Sequence, residues 1–487
     1  MTNSIKKNYA YSSAYQVLNI IIPLITTPYL SRVIGAEGNG LYTYTYSVAS
    51  LFNLFAQLGL SNYGVREIAS CKEDRVLRSK TFWNIFCMNL ISGGLVSALY
   101  ALYCMTLGNS YYPLCAIWAL MIVGSTIDVT WMLNGCQEFK VPTIRNFCTR
   151  LASMVFILLF VRDSGDVWAY VLAIAAPTFI NALCVWPFVT RYVDFSRPEW
   201  REMRRHLKPN LVLFIPIIAT SVYNLLDSFM LGSIGDMKDT GYYNYASRIT
   251  QIPLAFITAL GSVVLPKMTE VIAGGRIAEA KGLVRETMWF MEAAAMAFSW
   301  GVVAVAPEFV PVFFGPGFDE CVILIAALAP TIPLVSATNV MGVQYLVPSR
   351  RDRGFTASVV TGATVNFLLN LFVIPQFGAF GASLSTVAAE LTVLLVQVWL
   401  VHGELEVVRY LREAVPFILI GLIMMLGVRG LAAFLSTIGM GLTVFTIIIE
   451  FIAGALLYLG MSAVWVKVSH NQEFKNLLPE LARRFGI

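Results

Sequence analysis

The sequence predicts an all-α polytopic membrane protein with about 14 transmembrane helices. Of its 487 residues 57% are hydrophobic and only 13% are charged, whereas a soluble domain is about 25% charged. The mean hydropathy is +0.70. Apolar runs of about twenty residues recur along the chain, and each is long enough to cross a hydrocarbon core of about 30 Å. Lysines and arginines gather between alternate runs, as they do in the inner loops of membrane proteins.

The apolar runs define the spans in order. They lie near residues 9–33, 39–60, 81–106, 113–135, 143–162, 166–190, 209–231, 241–266, 284–306, 318–347, 354–374, 378–402, 411–428 and 439–466. The first run is too long for the apolar region of a signal peptide and has no small-residue cleavage site, so we expect a retained helix. The connections are too short for a soluble catalytic domain, which argues against an enzyme.

The positive charges predict the orientation of the chain. With the N-terminus inside, 29 of the 34 lysines and arginines fall on the inner side and four on the outer side, with Arg248 left within a span. This asymmetry predicts an even number of spans and two cytoplasmic termini. The net charge of +5 then lies mainly in loops that face anionic headgroups. No nucleic-acid-binding motif accompanies it, so we expect no nucleic-acid partner.

Residue types that carry catalytic or metal chemistry are sparse. The eight cysteines show no C-x-x-C pairing, and His206, His402 and His470 are dispersed near the inner edge. A metal site is therefore not expected. The chain contains neither the G-x-x-x-x-G-K-[ST] motif of a P-loop nor a G-x-S-x-G motif. We expect no bound cofactor and no catalytic residue.

An internal repeat predicts the domain organisation. SRVIGAEGNGLYTYTYS, from Ser31, resembles GSIGDMKDTGYYNYAS, from Gly232, and places Gly40 over Gly241 at an offset of 201 residues. A weaker similarity relates the inner ends of spans four and ten. The repeat predicts two six-helix lobes related by an axis along the membrane normal, with two appended helices. The predicted division is a lobe over 1–190, a cytoplasmic linker over 191–208, a second lobe over 209–402, and spans 13 and 14 with a cytoplasmic tail over 403–487.

The opening hairpin carries a family resemblance. The segment NIIIPLITTPYLSRVIGAEGNGLYTYTYSVASLFNLFAQLGLSNYGVREIA is similar to the first hairpin of the Wzx-like oligosaccharide flippases, or polysaccharide transporters, of the multidrug/oligosaccharidyl-lipid/polysaccharide (MOP) exporter superfamily. From Asp128, DVTWMLNGCQEFK resembles the family's D-x-x-W…G-x-E pattern, although Cys136 and Gln137 displace the usual acidic position. YASRITQIPLAFITALGSVVLPKMTE resembles span eight of these proteins and of the related lipid II flippase MurJ. The resemblance extends over the whole chain.

The resemblance implies both architecture and function. It implies two lobes in a V around a central cavity that opens to each side of the membrane in turn. The implied function is a bacterial inner-membrane flippase that moves an undecaprenyl-diphosphate-linked oligosaccharide from the inner to the outer leaflet. The partners are then the lipid-linked cargo, membrane lipids and, as a further candidate, a glycan polymerase. Cargo binding would involve no bond cleavage.

Arg248 is the principal candidate for binding the diphosphate. An ionisable side chain within a span costs about 2.5–3.5 kcal/mol on insertion scales, so it usually faces a cavity or a partner. A guanidinium binds phosphate oxygens in a bidentate manner and keeps its charge when it is dehydrated, and the resemblance places Arg248 at the family's anionic site. The alternative is a structural ion pair with Asp227, and the two interpretations are compatible. Arg32 and Arg150 are further phosphate candidates that alternatively extend toward the membrane surface.

Three further acids are candidates for ion coupling. Asp128, Glu292 and Glu390 are predicted within spans, where a buried carboxylate can carry a proton or bind sodium. Glu390 and Asp128 rank first, and no spacing distinguishes H⁺ from Na⁺. Glu450 lies in the appended pair of spans and is interpreted as structural.

Four prolines and two tyrosines are further candidates for functional roles, and each has an alternative structural interpretation. Pro23, Pro28, Pro216 and Pro253 lie within spans one, seven and eight, where they are either hinges for moving lobes or kinks supported by neighbouring helices. Tyr42 and Tyr245 belong either to the outer interfacial belt or to a surface that stacks on sugar rings.

Two alternative functions remain open at this point. A cation-coupled drug or metabolite antiporter of the same superfamily would need a cavity dominated by acids. A membrane glycan polymerase or ligase would need a sizeable outer loop with catalytic residues, and the predicted outer loops are short.

Overall fold

Helices form all the regular secondary structure in the described part of the chain. The computed structural model describes residues 21–71, 73–106 and 111–468, and no β-strand occurs within these ranges. In the same ranges, ten helical segments are long and apolar enough to cross a membrane. The predicted fold class, an all-α polytopic membrane protein, is confirmed.

The chain divides into two compact units, Met1–Gly241 and Tyr242–Ile487. The first described helix, α1, covers residues 21–33. The helices that follow are α2 Gly35–Gln57, α3 Leu60–Ser70, α4 Arg75–Thr106, α5 Tyr112–Ile127, α6 Thr130–Gly135, α7 Lys140–Phe160, α8 Val167–Val189 and α9 Trp200–Ile234. A short 3-10 turn, Ser164–Asp166, precedes α8.

Helix α10, Met237–Ala273, begins in the first unit and continues into the second. The second unit then contains α11 Ile277–Phe313, α12 Asp319–Leu328, α13 Thr331–Thr338, a π-helix over Asn339–Leu346, α14 Asp352–Val401, α15 Val407–Thr437 and α16 Val444–Val468. The predicted boundaries at 190, 208 and 402 do not coincide with the boundary between the compact units, and the four-part division stays a prediction.

Several predicted spans are not simple helices. Span four is interrupted between α5 and α6, where Asp128 is extended with φ −71° and ψ 128°. Its carboxylate accepts a hydrogen bond from the backbone N–H of Thr130, a local contact that competes with helix formation. Span ten comprises α12, α13 and the π-helix. Spans eleven and twelve join within α14 at Gly378, whose φ of 51° and ψ of −130° suit a residue without a Cβ atom.

Aromatic side chains and close helix approach build the core of the first unit. The Tyr42 ring stacks on Tyr170 with centroids 4.2 Å apart, and the buried Trp118 donates from Nε1 to Thr45 Oγ1 over 3.0 Å. Helix α5 packs closely on α8, since a Cβ atom on Gly124 would lie 2.7 Å from the backbone of Phe179. These contacts fix α2, α5 and α8 as one framework.

The segment between α8 and α9 is held against the start of α4. Asp194 accepts from Arg75 Nε over 2.7 Å and from Arg75 Nη2 over 2.8 Å, and Trp83 Nε1 donates to the Asp194 carbonyl over 3.0 Å. The Glu199 N–H donates to Asn84 Oδ1 over 2.8 Å. The predicted linker over 191–208 is therefore tied to α4 along its first half.

In the second unit, α11 is the central helix. It contacts α12, α13, α15 and α16, and the buried residues Trp289, Phe417 and Tyr458 lie in its shared core with α15 and α16. An ion pair joins α11 to α15, in which Arg285 donates from Nη2 to Glu413 Oε1 over 2.7 Å. The appended helices α15 and α16 thus pack directly on α11.

Candidate functional site

A polar cavity of about 340 Å³ lies in the first unit. Four helices and the break in span four supply its walls. The lining residues are Tyr46, Gln57, Met121, Ser125, Asp128, Arg145, Asn146, Thr149, Arg150, Ser153, Ala173, Ile174, Pro177, Thr178 and Asn181. Most of them carry amide, hydroxyl or charged groups, which is unusual for residues within membrane-spanning segments and indicates a hydrated site.

A second cavity of about 330 Å³ shares Tyr46, Gln57 and Met121 with the first. It continues along α2 toward Ser50 and Asn53 and reaches Ser221 on α9. The Ser125 hydroxyl, which lines the first cavity, donates to Asn53 Oδ1 in the second. The two cavities therefore form one continuous polar surface, which we call the first-unit cavity.

Arg145 holds the break in span four against α7 and α8. Its Nη1 donates to Thr130 Oγ1 over 3.1 Å and to the Asn181 carbonyl over 2.8 Å, and its Nη2 donates to Asn146 Oδ1 over 2.9 Å. Thr130 Oγ1 in turn donates to Asp128 Oδ1 over 2.5 Å. The network positions one guanidinium and one carboxylate at the wall of the cavity.

Arg150 differs from Arg145 because its side chain is exposed. Among the described residues, Arg150 has neither a hydrogen-bond nor an ion-pair partner. The three charged side chains of the lining, Arg145, Arg150 and Asp128, carry a net charge of +1. A guanidinium that is not engaged by protein acceptors is available for an anionic group of a ligand.

The structure brings together two of the predicted site residues. Asp128 and Arg150 line the same cavity. Arg32, on α1, is exposed, and its Nη1 donates to the Pro28 carbonyl over 2.8 Å. Arg248 is half-buried on α10 in the second unit, whereas Asp227 is buried on α9 in the first. The predicted Asp227–Arg248 pair stays a prediction.

The other predicted acids and the two predicted tyrosines lie in different surroundings. Glu292 is buried on α11, and Glu390 is half-buried on α14. Tyr42 is packed among aromatic rings of the first-unit core, and Tyr245 lies against Phe314 with ring centroids 5.0 Å apart. Their roles stay predictions.

The predicted hinge prolines lie in three helices. Pro23 and Pro28 lie on α1, and Pro253 is inside the continuous helix α10. The side chain of Pro216 lies outside the described residues. The hinge assignments stay predictions.

Sequence reasoning missed Arg145, Asn146 and Asn181. Arg145 is one of the 29 inner-side positive charges and falls within predicted span five, 143–162; the structure places it inside α7, five residues after its start at Lys140. One feature of the sequence indicates the polar face on which Arg145 lies. Arg145, Thr149 and Ser153 recur every four residues, which places three polar side chains on one face of a helix.

Comparison with known proteins agrees with this architecture. Residues 5–272, more than half of the chain, match the family described as "Polysaccharide biosynthesis protein". A "Putative O-antigen transporter" of Escherichia coli strain K12 is 23% identical over 409 residues, which cover 82% of this chain and 97% of that protein.

Two solved structures show the fold. The lipid II flippase MurJ, in an inward closed conformation, superposes with a TM-score of 0.71 at 13% identity and covers 93% of this chain and 99% of its own. An inward-facing multidrug resistance MATE family transporter of the MOP superfamily gives a TM-score of 0.57 at 13% identity, with 78% of this chain and 96% of its own covered. The predicted resemblance to polysaccharide transporters is confirmed by the family match and the transporter relative, and the chain belongs to the polysaccharide biosynthesis protein family.

Proposed function

We propose that the protein is a flippase that moves an undecaprenyl-diphosphate-linked oligosaccharide from the inner to the outer leaflet of the bacterial cytoplasmic membrane. The observation that carries the proposal is the first-unit cavity, which places two arginines among amides and hydroxyls inside a membrane-spanning helical bundle. Membership of a polysaccharide biosynthesis family and the similarity to a putative O-antigen transporter support a lipid-linked glycan as cargo. The protein is accordingly a transporter rather than an enzyme.

The lining of the cavity suits the polar head of such a cargo. Sugar hydroxyls both donate and accept hydrogen bonds, and Gln57, Asn146 and Asn181 offer both functions. Arg150 is available for a phosphate oxygen, with Arg145 beside it in the same wall. The volume of about 340 Å³ lies within the range of about 300–1,000 Å³ that is usual for ligand sites. The polyprenyl tail would remain in the bilayer.

The mechanism that we propose is alternating access. The cargo's head enters the cavity from the cytoplasmic side, the protein changes conformation, and the head leaves on the outer side with all its bonds intact. Arg248, Arg32 and Arg150 are the proposed diphosphate ligands. Pro23, Pro28, Pro216 and Pro253 are the proposed bending points. Both termini are proposed to lie in the cytoplasm, and a glycan polymerase is a proposed partner.

The charge of the cavity favours this cargo over a cationic drug. A drug antiporter of the superfamily would need acids to attract its cargo, but the charged residues of the lining are Asp128, Arg145 and Arg150. An oligosaccharide diphosphate is the better electrostatic match. A glycan ligase is disfavoured because the connections between described helices are short: residues 235 and 236 join α9 to α10, and residues 314–318 join α11 to α12.

The test is to deplete the protein in cells and to assay lipid-linked glycans in each leaflet. We expect them to accumulate on the cytoplasmic side and to be cleared when the wild-type protein is restored. An unchanged distribution between leaflets after depletion would argue against the proposal. Resistance to cationic drugs, measured in the same cells, is expected to stay constant.

A further inference from the structure

The connection between α8 and α9 carries two exposed aromatic side chains. Phe195 is 79% exposed, and Trp200, the first residue of α9, is 62% exposed. In water such rings would be unfavourable, because burying apolar surface is what stabilises a fold. Aromatic rings are instead enriched where a membrane meets water, since one part of the ring suits the acyl chains and another suits the headgroups. Two exposed rings so close in the chain therefore indicate contact with lipid.

Helix α4 fixes the level at which these rings lie. The backbone N–H of Glu199 donates to Asn84 Oδ1 over 2.8 Å, and the Phe195 ring contacts Trp83 with centroids 5.2 Å apart. Trp83 and Asn84 come more than two turns after the start of α4, about 12–14 Å along its axis. Helix α4 is long and apolar enough to cross a membrane. Phe195 and Trp200 thus lie beside this helix and not in a loop beyond its end.

Basic side chains surround this position. The first nine residues of α9 include four Lys or Arg residues and one Glu, a net charge of +3. The one acid, Glu202, is paired with Arg205 over 3.6 Å. Among the described residues, Arg201, Arg204 and Lys208 are exposed and have neither a hydrogen-bond nor an ion-pair partner. Positive charges that no protein acid matches attract anionic headgroups at a membrane surface.

The exposed face of α9 changes character along the helix. Residues three or four positions apart form this face: Trp200, Arg204, Lys208 and Leu211. Met203 lies on the side of the helix that is buried in the first unit. The exposed face is therefore aromatic and basic where α9 begins and apolar further along, as expected for a helix that enters a bilayer from its surface.

We propose that Phe195, Trp200, Arg201, Arg204 and Lys208 form a binding surface for the headgroups of anionic phospholipids, which we call the α9 anchor. The two guanidinium groups and the ammonium group bind the oxygens of lipid phosphates. The two rings occupy the boundary between headgroups and acyl chains. Charge complementarity selects an anionic lipid over a zwitterionic one.

The α9 anchor affects the first-unit cavity through α9 itself. Phe214 and Ser221, further along this helix, line the second part of the cavity. Lipid bound at the start of α9 therefore helps to hold one wall of the cavity in place. Resident phospholipid, and not the transported lipid, is the ligand of the anchor, so its binding does not depend on the proposed function.

Lipid binding to the purified full-length protein tests the basic part of the anchor. The detergent-solubilised protein is titrated with phosphatidylglycerol and, separately, with phosphatidylcholine, and bound lipid is counted by mass spectrometry of the intact complex. We expect the wild-type protein to prefer phosphatidylglycerol. We expect Arg201→Gln/Arg204→Gln to weaken phosphatidylglycerol binding at this site, by about five-fold for each lost charge, and to leave phosphatidylcholine binding unchanged.

The matched control is Lys267→Gln/Arg276→Gln. It also removes two exposed positive charges, but both of them are already paired with Glu270, over 3.1 Å and 2.8 Å. We expect the control to keep the wild-type preference for phosphatidylglycerol. An anchor variant that keeps the same preference, or a control that loses as much of it, would overturn the assignment of the headgroup site.

A spin label tests the placement of the rings in lipid. Phe195→Cys is labelled in an otherwise cysteine-free protein, reconstituted in vesicles of phosphatidylglycerol and phosphatidylcholine. We expect this label to collide more with oxygen, and less with a water-soluble nickel chelate, than a label at Gly403→Cys. Gly403 is exposed between α14 and α15, with nothing within 4 Å of an added Cβ atom. Equal access of the nickel chelate to both labels would place Phe195 in water and overturn the anchor, whichever cargo the protein moves.

Discussion

Gly40 and Gly241 make reciprocal backbone contacts. A Cβ atom on Gly40 would overlap the carbonyl oxygen of Met237, and a Cβ atom on Gly241 would overlap the carbonyl oxygen of Ala36. Gly40 and Gly241 are 201 residues apart, as are Ala36 and Met237. The contact therefore pairs equivalent positions of the internal repeat, and Asn39 Nδ2 reinforces it by donating to the Gly241 carbonyl over 3.3 Å.

This contact predicts a strong sensitivity to one added methyl group. Gly40→Ala or Gly241→Ala forces the start of α2 away from the start of α10, and we expect overpacking to cost about 1–3 kcal/mol or more of the free energy of unfolding. Thermal unfolding of the detergent-solubilised protein measures it. Gly94→Ala is the matched control, since nothing lies within 4 Å of the added atom. Equal unfolding temperatures for the three variants would show that the close approach is not important for stability.

His206 and Tyr63 predict a pH dependence of stability near the start of α9. The Tyr63 hydroxyl lies 2.6 Å from His206 Nδ1. Burial lowers the pKa of His206 below its usual 6.5, and burial raises the pKa of Tyr63 to about 12. A histidine whose pKa is lower in the folded protein contributes stability that is present above pH 6.5 and is lost as the pH falls toward the folded pKa.

We therefore expect the unfolding temperature of the wild-type protein to fall between pH 7 and pH 5, and to fall less in His206→Gln. The reason is that glutamine keeps a polar group beside Tyr63 but binds no proton in this range. His402→Gln is the control, because His402 is exposed. The same pH profile in His206→Gln and in the wild-type protein would contradict the assignment.

The hydroxyl group of Thr130 is expected to be important for export. Its Oγ1 joins the Arg145 guanidinium to the Asp128 carboxylate. Thr130→Val leaves one donor of Arg145 and one acceptor of Asp128 unsatisfied, at about 1–3 kcal/mol. We expect slower export of lipid-linked glycan, measured by its distribution between leaflets, and recovery in Thr130→Ser, which restores the hydroxyl. Failure of serine to rescue export would indicate that side-chain shape, rather than the hydrogen bonds, is what matters.

Hydropathy predicted where helices lie, but not where they break. The length of an apolar run depends only on neighbouring residues, so hydropathy along the sequence predicts the spans. The extended backbone at Asp128 and the positive φ of Gly378 depend on contacts that a local window does not contain. The break at Asp128 is the part that builds the cavity, since it places Thr130 between Asp128 and Arg145.

The site was predicted only in part for a related reason. Asp128 and Arg150 were chosen because charge within a span is costly, and both line the first-unit cavity. Arg145 was missed because it was treated as a determinant of orientation near the end of predicted span five, and not as a residue that faces a cavity. Glu450 was interpreted as structural because it lies in the appended spans, and its burial against α11 and α15 depends on helix packing that periodicity alone does not specify.

Equilibrium binding of an undecaprenyl-diphosphate-linked oligosaccharide to the purified protein tests the role of the first-unit cavity most directly. The variants are Arg150→Ala and Arg145→Ala, with Arg197→Ala as the control, because Arg197 is exposed and lies outside the cavity. A hydrogen bond to a charged group contributes about 1.5–3 kcal/mol, so the account predicts that affinity falls roughly 10- to 100-fold in each cavity variant and is unchanged in the control. Wild-type affinity in both cavity variants would contradict it.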